Sequence, residues 1–300
     1  MPLHPSIKQS YWLHSATIKS VNTEFSLRAL LSASALPPVE AKILMAYILE
    51  KHYQLPRSAL LSRDDLELSD AALDEWRVLE SKRIQGEPVA YLIGKRGFYN
   101  IELYVAPGVL IPRPETELLV EIALREITHL NVPARILDLG TGSGAIALAI
   151  AHEAPQALLT ATDQSNEALA IAKTNAKHLN LTERVQFLHG SWYDALDKDL
   201  SFDIILSNPP YIASHDLHLG QGDLRFEPAS ALTDHGNGLA CLEAIILGAK
   251  SHLNSNGLLA VEHGFDQSEA VVALMKSGGL SDIQTHLDIG GHYRVASGRK

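Results

Sequence analysis

From about residue 135 onward the chain alternates short apolar strands with amphipathic helices, and this alternation limits the possible folds more than any other feature. Strands that alternate with helices pair in parallel through right-handed crossovers, with the helices covering both faces of the sheet. The sequence therefore predicts an α/β fold with a mostly parallel, doubly wound sheet. The predicted strands are residues 135–139, 157–162, 185–188, 203–207, 258–262, 281–287 and 292–298, and the predicted helices are 143–152, 166–179, 238–253 and 267–277.

The region before the sheet has helical spacing. Apolar residues recur three and four positions apart within 22–85, which predicts a small helical bundle domain. Two roles stay open for this bundle, a cap that stabilises the protein or a module that recognises a macromolecular partner. Residues 1–21 show no clear period and are predicted to be an extension. The apolar positions of the predicted helices are Leu27, Leu30, Leu31, Ala41, Leu44, Met45, Ile48, Leu49, Leu73, Trp76, Leu79 and Ile84.

Residues 86–114 have a different character, with glycine turns between apolar runs. The runs 89–94 and 98–105 predict a β-hairpin. The proline-rich stretch 110–117 then predicts a stiff linker to the α/β domain, which spans residues 115–300 and begins with a helix from Glu115 to about Leu130.

Charge restricts the partners of the protein. Lys and Arg total 25 and Asp and Glu total 35, so the net charge is −10. A protein that follows a phosphate backbone usually presents a basic surface. The composition therefore favours a protein partner or a small molecule, with no direct binding of nucleic acid expected.

Cysteine usage and apolar runs indicate the compartment. The single cysteine, Cys241, excludes an internal disulfide and a cysteine metal cluster, as is typical of the reducing cytoplasm. The N-terminus lacks the charged and apolar blocks of a signal peptide, and the longest apolar run, Ala145–Ala151, is too short to cross a bilayer. We therefore expect a cytoplasmic protein with no membrane contact and no bound metal.

A glycine-rich turn, residues 137–144, separates the first predicted strand of the α/β domain from its helix. Glycines allow a ligand to approach the backbone closely, and the following helix N-terminus is weakly positive. Asp163 ends the next strand, where an acceptor for ribose hydroxyls is expected. These residues predict a nucleotide-like cofactor, and at this point NAD and S-adenosylmethionine both remain open.

The segment Asn208-Pro209-Pro210-Tyr211 follows the strand 203–207 and makes a stiff loop. The Asn208 side-chain oxygen and the Pro209 carbonyl form two acceptors for a flat N–H group, with the Tyr211 ring beside them. An NAD enzyme does not need such a set. A methyl donor supplies its own electrophile, so the protein has only to place a nitrogen in line with it.

These residues resemble a known family. Residues 138–144 together with 207–211 resemble class I S-adenosylmethionine-dependent methyltransferases that modify planar amino or amide nitrogens. Four further blocks narrow the resemblance to the peptide chain release factor glutamine methyltransferases (the HemK or PrmC family). These blocks are residues 86–92, 111–117, 221–228 and 262–264.

The resemblance implies a class I methyltransferase fold whose last strand is antiparallel. It also implies a reaction, methyl transfer from S-adenosyl-L-methionine to the amide nitrogen of the glutamine in the Gly-Gly-Gln motif of release factors. The cofactor-binding residues it implies are Gly140, Thr141, Gly142, Ser143, Gly144, Asp163, Trp192 and Asn208. The catalytic residues it implies are Asn208, Pro209 and Tyr211, and the substrate-binding residues are Asn208, Pro209, Pro210 and Tyr211.

Three alternatives remain from the sequence. The acceptor would be a glutamine of a large-subunit ribosomal protein, or an exocyclic amine of adenine or guanine, which poses the same chemical problem. The third alternative is an inactive scaffold, against which the intact glycine turn, Asp163 and Asn208 argue together.

Several other polar residues have predicted supporting roles. Arg113, Thr116 and Glu117 would line the mouth of the pocket or fix the linker. Arg225 and Glu227 would brace the loop after Tyr211. The remaining pair, Glu262 and His263, would form a buried polar support at a strand end.

Overall fold

A computed structural model describes residues 23–130 and 132–300 of the protein. The chain divides into two compact units between Glu80 and Ser81. The predicted extension, residues 1–21, lies outside the described residues.

The first unit is helical, as its spacing predicts. Helix α1 (Leu27–Ala33) begins at Ser26, whose hydroxyl accepts a hydrogen bond from the Ala29 backbone N–H at 3.3 Å. Helix α2 (Pro38–Tyr53) starts with a proline, whose fixed φ suits the first turn. Two more helices follow, α3 (Ala59–Ser62) and α4 (Asp70–Ile84). The fully buried core side chains include Leu27, Leu44, Met45, Ile48 and Trp76.

The segment before the sheet departs from the prediction at one element. Residues 89–94 were expected to be a strand, but Val89–Ile93 form a short helix, α5. Pro88 starts this helix and Gly94 ends it in the left-handed region at φ 71°. The predicted hairpin is present but consists of β1 (Lys95–Phe98) and β2 (Ile101–Tyr104), paired antiparallel.

A seven-stranded sheet forms the centre of the second unit. Its strands are β3 (Arg135–Leu139), β4 (Leu158–Asp163), β5 (Val185–His189), β6 (Phe202–Ser207), β7 (Leu253–Glu262), β8 (Ser281–Leu287) and β9 (Tyr293–Arg299). Their order in the sheet is β5-β4-β3-β6-β7-β9-β8, and β3 through β7 are parallel while β9 runs antiparallel to both neighbours. The predicted fold class is confirmed, including the antiparallel last strand.

Helices cover both faces of this sheet. The helices of this unit that follow the hairpin are α6 (Glu117–Ile127), α7 (Ala145–Glu153), α8 (Asn166–His178), α9 (Ala229–Leu232), α10 (Ala240–His252) and α11 (Ser268–Ser277). Strand residues alternate between two hydrophobic clusters. Ile136 packs in the cluster that contains residues of α6 and α7, and Leu137 packs in the cluster that contains residues of α10 and α11. Throughout the described part of the chain, helices long and apolar enough to span a membrane are absent.

The strand order determines where a ligand can bind. From β3 the chain proceeds to β4 and β5 on one side, and it then returns to place β6 and β7 on the other side. The carboxyl ends of β3 and β6 are paired, with Leu139 opposite Ser207. Such a reversal leaves a crevice beyond the strand ends, which is where ligands bind in open α/β sheets.

Candidate functional site

A cleft lies at this crevice and contains about 940 Å³ of empty space, part of it open to solvent. The glycine turn, the end of β4 and the segment after β6 all contribute to its walls. Residues from the predicted site that line it are Gly140, Thr141, Gly142, Ser143, Asp163, Trp192, Asn208 and Pro210, together with Arg113 and Thr116.

The glycine turn is held against the neighbouring strand by backbone hydrogen bonds. The Gly140 and Thr141 N–H groups both donate to the Thr162 carbonyl, at 2.9 and 3.0 Å. Gly144 has φ 85°, and a Cβ at this position would lie 2.8 Å from Leu148 Cδ1. Glycine is therefore required here both by conformation and by the close packing of α7.

Asp138, in β3, stabilises the glycine turn through hydrogen bonds. Its side chain is fully buried, and Oδ2 accepts hydrogen bonds from Thr141 Oγ1 at 2.6 Å and from the Ala147 N–H at 3.3 Å. Its Oδ1 has no partner among the described residues. Burial raises the pKa of Asp138 to about 7, although the two hydrogen bonds act in the opposite direction.

Asp163 ends β4 and lines the cleft. Its Oδ2 accepts from the Gly142 N–H at 2.9 Å and its Oδ1 accepts from the Ser165 N–H at 2.8 Å. Burial raises the pKa of this carboxyl above its ordinary value, and these backbone hydrogen bonds lower it. Each oxygen retains a lone pair, so Asp163 holds the glycine turn and can also accept hydrogen bonds from ligand hydroxyls.

Trp192 lies beside the glycine turn. A Cβ on Gly140 would be 3.2 Å from Trp192 Cζ3, so the indole edge borders the turn directly. The Trp192 backbone carbonyl accepts from Thr162 Oγ1 at 3.1 Å, and its φ is 46°, in the left-handed region. The arrangement gives the cleft a flat apolar wall, which suits a planar ring system.

The segment after β6 begins where two strand ends are joined. Ser207 Oγ donates to the Leu139 carbonyl at 2.7 Å. The next residue, Asn208, lines the cleft, and its Nδ2 donates to Thr116 Oγ1 at 2.9 Å. Because the amide nitrogen is bound in this way, the Asn208 oxygen is left as the acceptor. Pro209 is buried and Pro210 lines the cleft.

Tyr211 is directed towards β7. Its hydroxyl donates to Glu262 Oε1 at 3.0 Å, and its ring packs against the hydrophobic cluster of α10 and α11. Burial raises the pKa of Glu262 to about 7, while the nearby hydroxyls of Thr116 and Tyr211 lower it. Glu262 and the neighbouring His263 are both buried, as their predicted role as a polar support requires.

Arg113 and Glu227 join the linker to the loop that follows Tyr211. Their side chains form an ion pair, and Glu227 Oε2 also accepts from the Ile111 N–H at 3.0 Å. The Glu227 carboxyl is fully buried, which raises its pKa against the opposing effect of Arg113. The same loop is tied at Arg225, whose Nη2 donates to the Gln85 carbonyl at 2.7 Å. Glu227 and Arg225 thus brace the loop that follows Tyr211, as predicted.

Sequence reasoning missed Asn175, which is fully buried in α8. Its Oδ1 accepts from the Tyr104 N–H at 2.7 Å, and its Nδ2 donates to the Tyr104 and Ser143 carbonyls at 3.0 and 2.9 Å. It therefore connects the hairpin to the glycine turn. A signal was present, since Asn175 lies on the same helical face as Leu169 and Ala172.

The cleft fits a nucleoside-based cofactor. The turn residue Gly142 has φ 57° and lines the cleft, and a Cβ there would meet no atom within 4 Å. Empty space at the glycine, the Asp163 carboxylate and the Trp192 wall are the features that a ribose and an attached base require. Over residues 23–130 and 132–300 there is no cluster of three or more His, Cys, Asp or Glu side chains able to hold a metal ion.

Family models match both parts of the chain. The Methyltransferase small domain matches residues 115–275, which is more than half of the chain, and the PrmC N-terminal domain matches residues 26–94. Among solved structures, a methyltransferase from Pyrococcus furiosus is 17% identical with a TM-score of 0.50 and covers 74% of this chain and 97% of its own. A 16S rRNA N2 G1207 methyltransferase from T. thermophilus, in complex with AdoMet and guanosine, is 20% identical with a TM-score of 0.51 and covers 69% and 49%. These two structures support the fold.

Curated relatives match nearly the whole chain. The Bordetella pertussis release factor glutamine methyltransferase is 47% identical over 272 residues, which are 91% of this chain and 98% of the relative. The Salmonella typhimurium protein of the same name is 44% identical over 289 residues, covering 96% and 98%. Identity of this extent across both family domains establishes that the chain belongs to the release factor glutamine methyltransferases.

Proposed function

We infer that this protein transfers a methyl group from S-adenosyl-L-methionine to the side-chain amide nitrogen of the glutamine in the Gly-Gly-Gln motif of peptide chain release factors. The observation that carries the proposal is the orientation of the Asn208 amide at the cleft, with its nitrogen bound to Thr116 and its oxygen left as an acceptor. We propose that the protein acts in the cytoplasm.

The cofactor would be held by residues 140–143 of the glycine turn, by Asp163 and by Trp192, all of which line the cleft. When bound, it supplies an electrophilic methyl group on a sulfonium. Asp163 would accept from the ribose hydroxyls while it continues to hold the Gly142 N–H. The indole of Trp192 would pack against the base.

The acceptor amide presents a chemical difficulty, because its nitrogen lone pair is delocalised into the carbonyl. Residues after β6 would overcome this mainly by orientation. Asn208 Oδ1 and the Pro209 carbonyl would each accept one N–H of the glutamine amide and stabilise the positive charge that develops on nitrogen. Pro210 would border the same site. Once methylated, the nitrogen loses a proton readily, so no strong general base is required.

Tyr211 would shape the glutamine pocket. Its hydroxyl is held by Glu262 and its pKa is raised by burial, so it stays neutral. It would therefore act through its ring and its position and would not act as a base.

Labelled S-adenosylmethionine tests the substrate. The protein would be incubated separately with a release factor, with a Gly-Gly-Gln→Gly-Gly-Ala form of that factor, with a large-subunit ribosomal protein and with duplex DNA. We expect label on the intact release factor alone. Label on the altered factor, or on the ribosomal protein or DNA alone, would contradict the proposal.

The variant Asn208→Ala tests the role of the acceptor amide. It should abolish transfer while leaving the affinity for S-adenosylhomocysteine, measured by calorimetry, within about threefold of wild type. The matched control is Asn100→Ala. Asn100 is exposed and does not line the cleft, and its Nδ2 donates to Glu153 Oε1 at 2.9 Å. Full activity is expected of this control variant. Equal loss of transfer and donor binding in Asn208→Ala would make Asn208 mainly a cofactor residue.

A further inference from the structure

The acceptor segment, residues 208–211, is anchored at both of its ends. Its two prolines have no backbone N–H, so half of its residues cannot donate a hydrogen bond that would fix the chain. Just before the segment, Ser207 Oγ donates to the Leu139 carbonyl at 2.7 Å. At its end, the Tyr211 carbonyl accepts from Gln267 Nε2 at 2.9 Å. The position of the segment therefore depends on a side chain 56 residues further along the chain.

The half-buried side chain of Gln267, the residue that precedes α11, joins three loops. Its Oε1 accepts from the Gly264 N–H at 2.8 Å, and its Nε2 donates to the Tyr211 carbonyl and, at 3.2 Å, to the Gly238 carbonyl. All three partners are backbone groups, whose roles as donor or acceptor cannot change. They therefore determine which way the Gln267 amide is turned, and its two protons have two acceptors.

The Tyr211 carbonyl is closely packed on the side of Gly238. Gly238 has φ 83°, and a Cβ there would lie 2.3 Å from the Tyr211 carbonyl oxygen and 2.8 Å from Gln267 Nε2. Gly238 is itself held, because Asp234 Oδ1 accepts from its N–H at 2.9 Å. The Tyr211 hydroxyl donates to Glu262 at 3.0 Å. Tyr211 is thus fixed both at its carbonyl and at its hydroxyl.

We infer that Gln267 is a positioning residue, which holds the acceptor segment where Asn208 Oδ1 and the Pro209 carbonyl can receive the methyl acceptor. Each proline fixes its own φ, so the segment is stiff and a shift at Tyr211 is passed back to Pro209. Gln267 is not among the described residues that line the cleft, so it acts through the segment and does not touch the substrate. The inference rests on the proposed function, since it assigns a role in presenting the acceptor nitrogen.

The variant Gln267→Met tests this role. Methionine is unbranched and of similar length, but it cannot replace the hydrogen bonds to the three backbone groups. We expect kcat on a Gly-Gly-Gln peptide to fall about tenfold, because a displacement of about 1 Å in the reacting groups is enough to slow transfer strongly. KM for the peptide should change less than kcat. The Kd for S-adenosylhomocysteine, measured by calorimetry, should stay within about threefold of wild type.

The variant Gln267→Glu separates the contacts of the side chain. Glutamate retains an oxygen for the Gly264 N–H, but its ionised carboxylate cannot donate to the Tyr211 carbonyl. Assayed above neutral pH, this variant should lower kcat at least as much as methionine does. If Gln267→Met fails to fold and binds no S-adenosylhomocysteine, Gln267→Glu decides the test alone.

Two control variants lie away from the cleft. Gln284→Met makes the same substitution at an exposed glutamine of β8 and should have wild-type kcat. Ser297→Ala removes the hydrogen bond between the buried Ser297 Oγ and His286 Nε2, at 2.8 Å, and neither residue lines the cleft. It should lower the melting temperature and leave kcat unchanged, so it separates a loss of stability from a loss of positioning.

Wild-type kcat in the Gln267 variants would overturn the inference. So would a loss of donor affinity as large as the loss of kcat, or a Ser297→Ala variant whose kcat falls as much for the same drop in melting temperature. Transfer by the unaltered protein to the peptide and to the whole release factor is measured in the same series. Its absence would overturn the proposed function, and the inference with it, and is distinct from a result confined to the variants.

Discussion

Two carboxyl groups, Asp138 in β3 and Glu262 at the end of β7, lie fully buried near the strand ends that form the cleft. Burial raises the pKa of each to about 7. A group whose pKa is raised in the folded state binds its proton more tightly there than in the unfolded chain. Its contribution to stability is therefore fully present below the unfolded pKa and is lost as the pH rises to the folded value.

The variant Asp138→Asn isolates this effect for one residue. Between the ordinary pKa of 3.8 and about 7, the wild-type protein loses stability through Asp138 as the pH rises. From pH 5 to pH 8 the loss should be about 2–3 kcal/mol, since one pKa unit corresponds to about 1.4 kcal/mol. The asparagine variant does not titrate. Urea unfolding of both proteins at the two pH values checks this, and an equal difference in unfolding free energy at pH 5 and pH 8 would contradict it.

Individual residues differ in how far sequence alone could predict them. The glycine turn and Asn208-Pro209-Pro210-Tyr211 were predictable because each is a contiguous run whose chemistry depends on its own backbone. Glu262 was predictable as a buried polar group, and Thr116 as a residue of the pocket mouth or the linker, but Thr116 was not predictable as the hydrogen-bond partner of Asn208. That contact depends on the packing of the turn before α6 against the end of β6, which no local pattern encodes.

At the level of elements, long periodic segments were predicted better than short ones. Six strands of the sheet agree with their predicted bounds to within one residue, whereas β7 begins at Leu253, five residues before its predicted start. The segment Val89–Ile93 was predicted to be a strand and is helix α5. Five consecutive apolar residues show neither a period of 2 nor one of 3.6. The deciding contact is distant: the Tyr91 hydroxyl donates to the Val109 carbonyl at 2.6 Å within a buried cluster.

Asn175 in α8 joins the hairpin strand β2 to the glycine turn, and its removal should lower the stability of the protein. Asn175→Ala removes three hydrogen bonds and leaves the Tyr104 N–H and the Tyr104 and Ser143 carbonyls without this partner. We expect a loss of about 3 kcal/mol in unfolding free energy, because the unpaired groups are buried or half-buried. Urea unfolding measures this against Lys173→Ala, an exposed change in the same helix that should stay within about 0.5 kcal/mol of wild type. Similar stabilities of the two variants would contradict the prediction.

At the scale of the whole molecule, the cleft belongs to one unit. Every residue that lines it lies between 108 and 231, within the unit that begins at Ser81. The helical unit has its own buried core around Trp76 and Met45, and it matches the PrmC N-terminal domain. Of the two roles left open by the sequence, we propose that residues 22–85 recognise the release factor, since the cleft is complete without them.

This proposal predicts that changes on the helical unit affect the KM for the whole release factor and leave the KM for a short peptide unchanged. Val39 in α2 and Leu61 in α3 are 66% and 84% exposed, so changing them to glutamate should leave the helical core intact. If this surface binds the release factor, the double variant Val39→Glu/Leu61→Glu should raise KM for the whole factor about tenfold, because two apolar contacts would be lost. KM for a short Gly-Gly-Gln peptide, which would occupy only the cleft, should be unchanged.

Val132→Glu is the matched control. Val132 is 64% exposed and lies just before the N-terminal end of β3, whereas the cleft lies beyond the carboxyl ends of the strands. Steady-state kinetics on both substrates decide the matter, and an equal change in KM for factor and peptide, or none for either, would assign this surface no part in recognition.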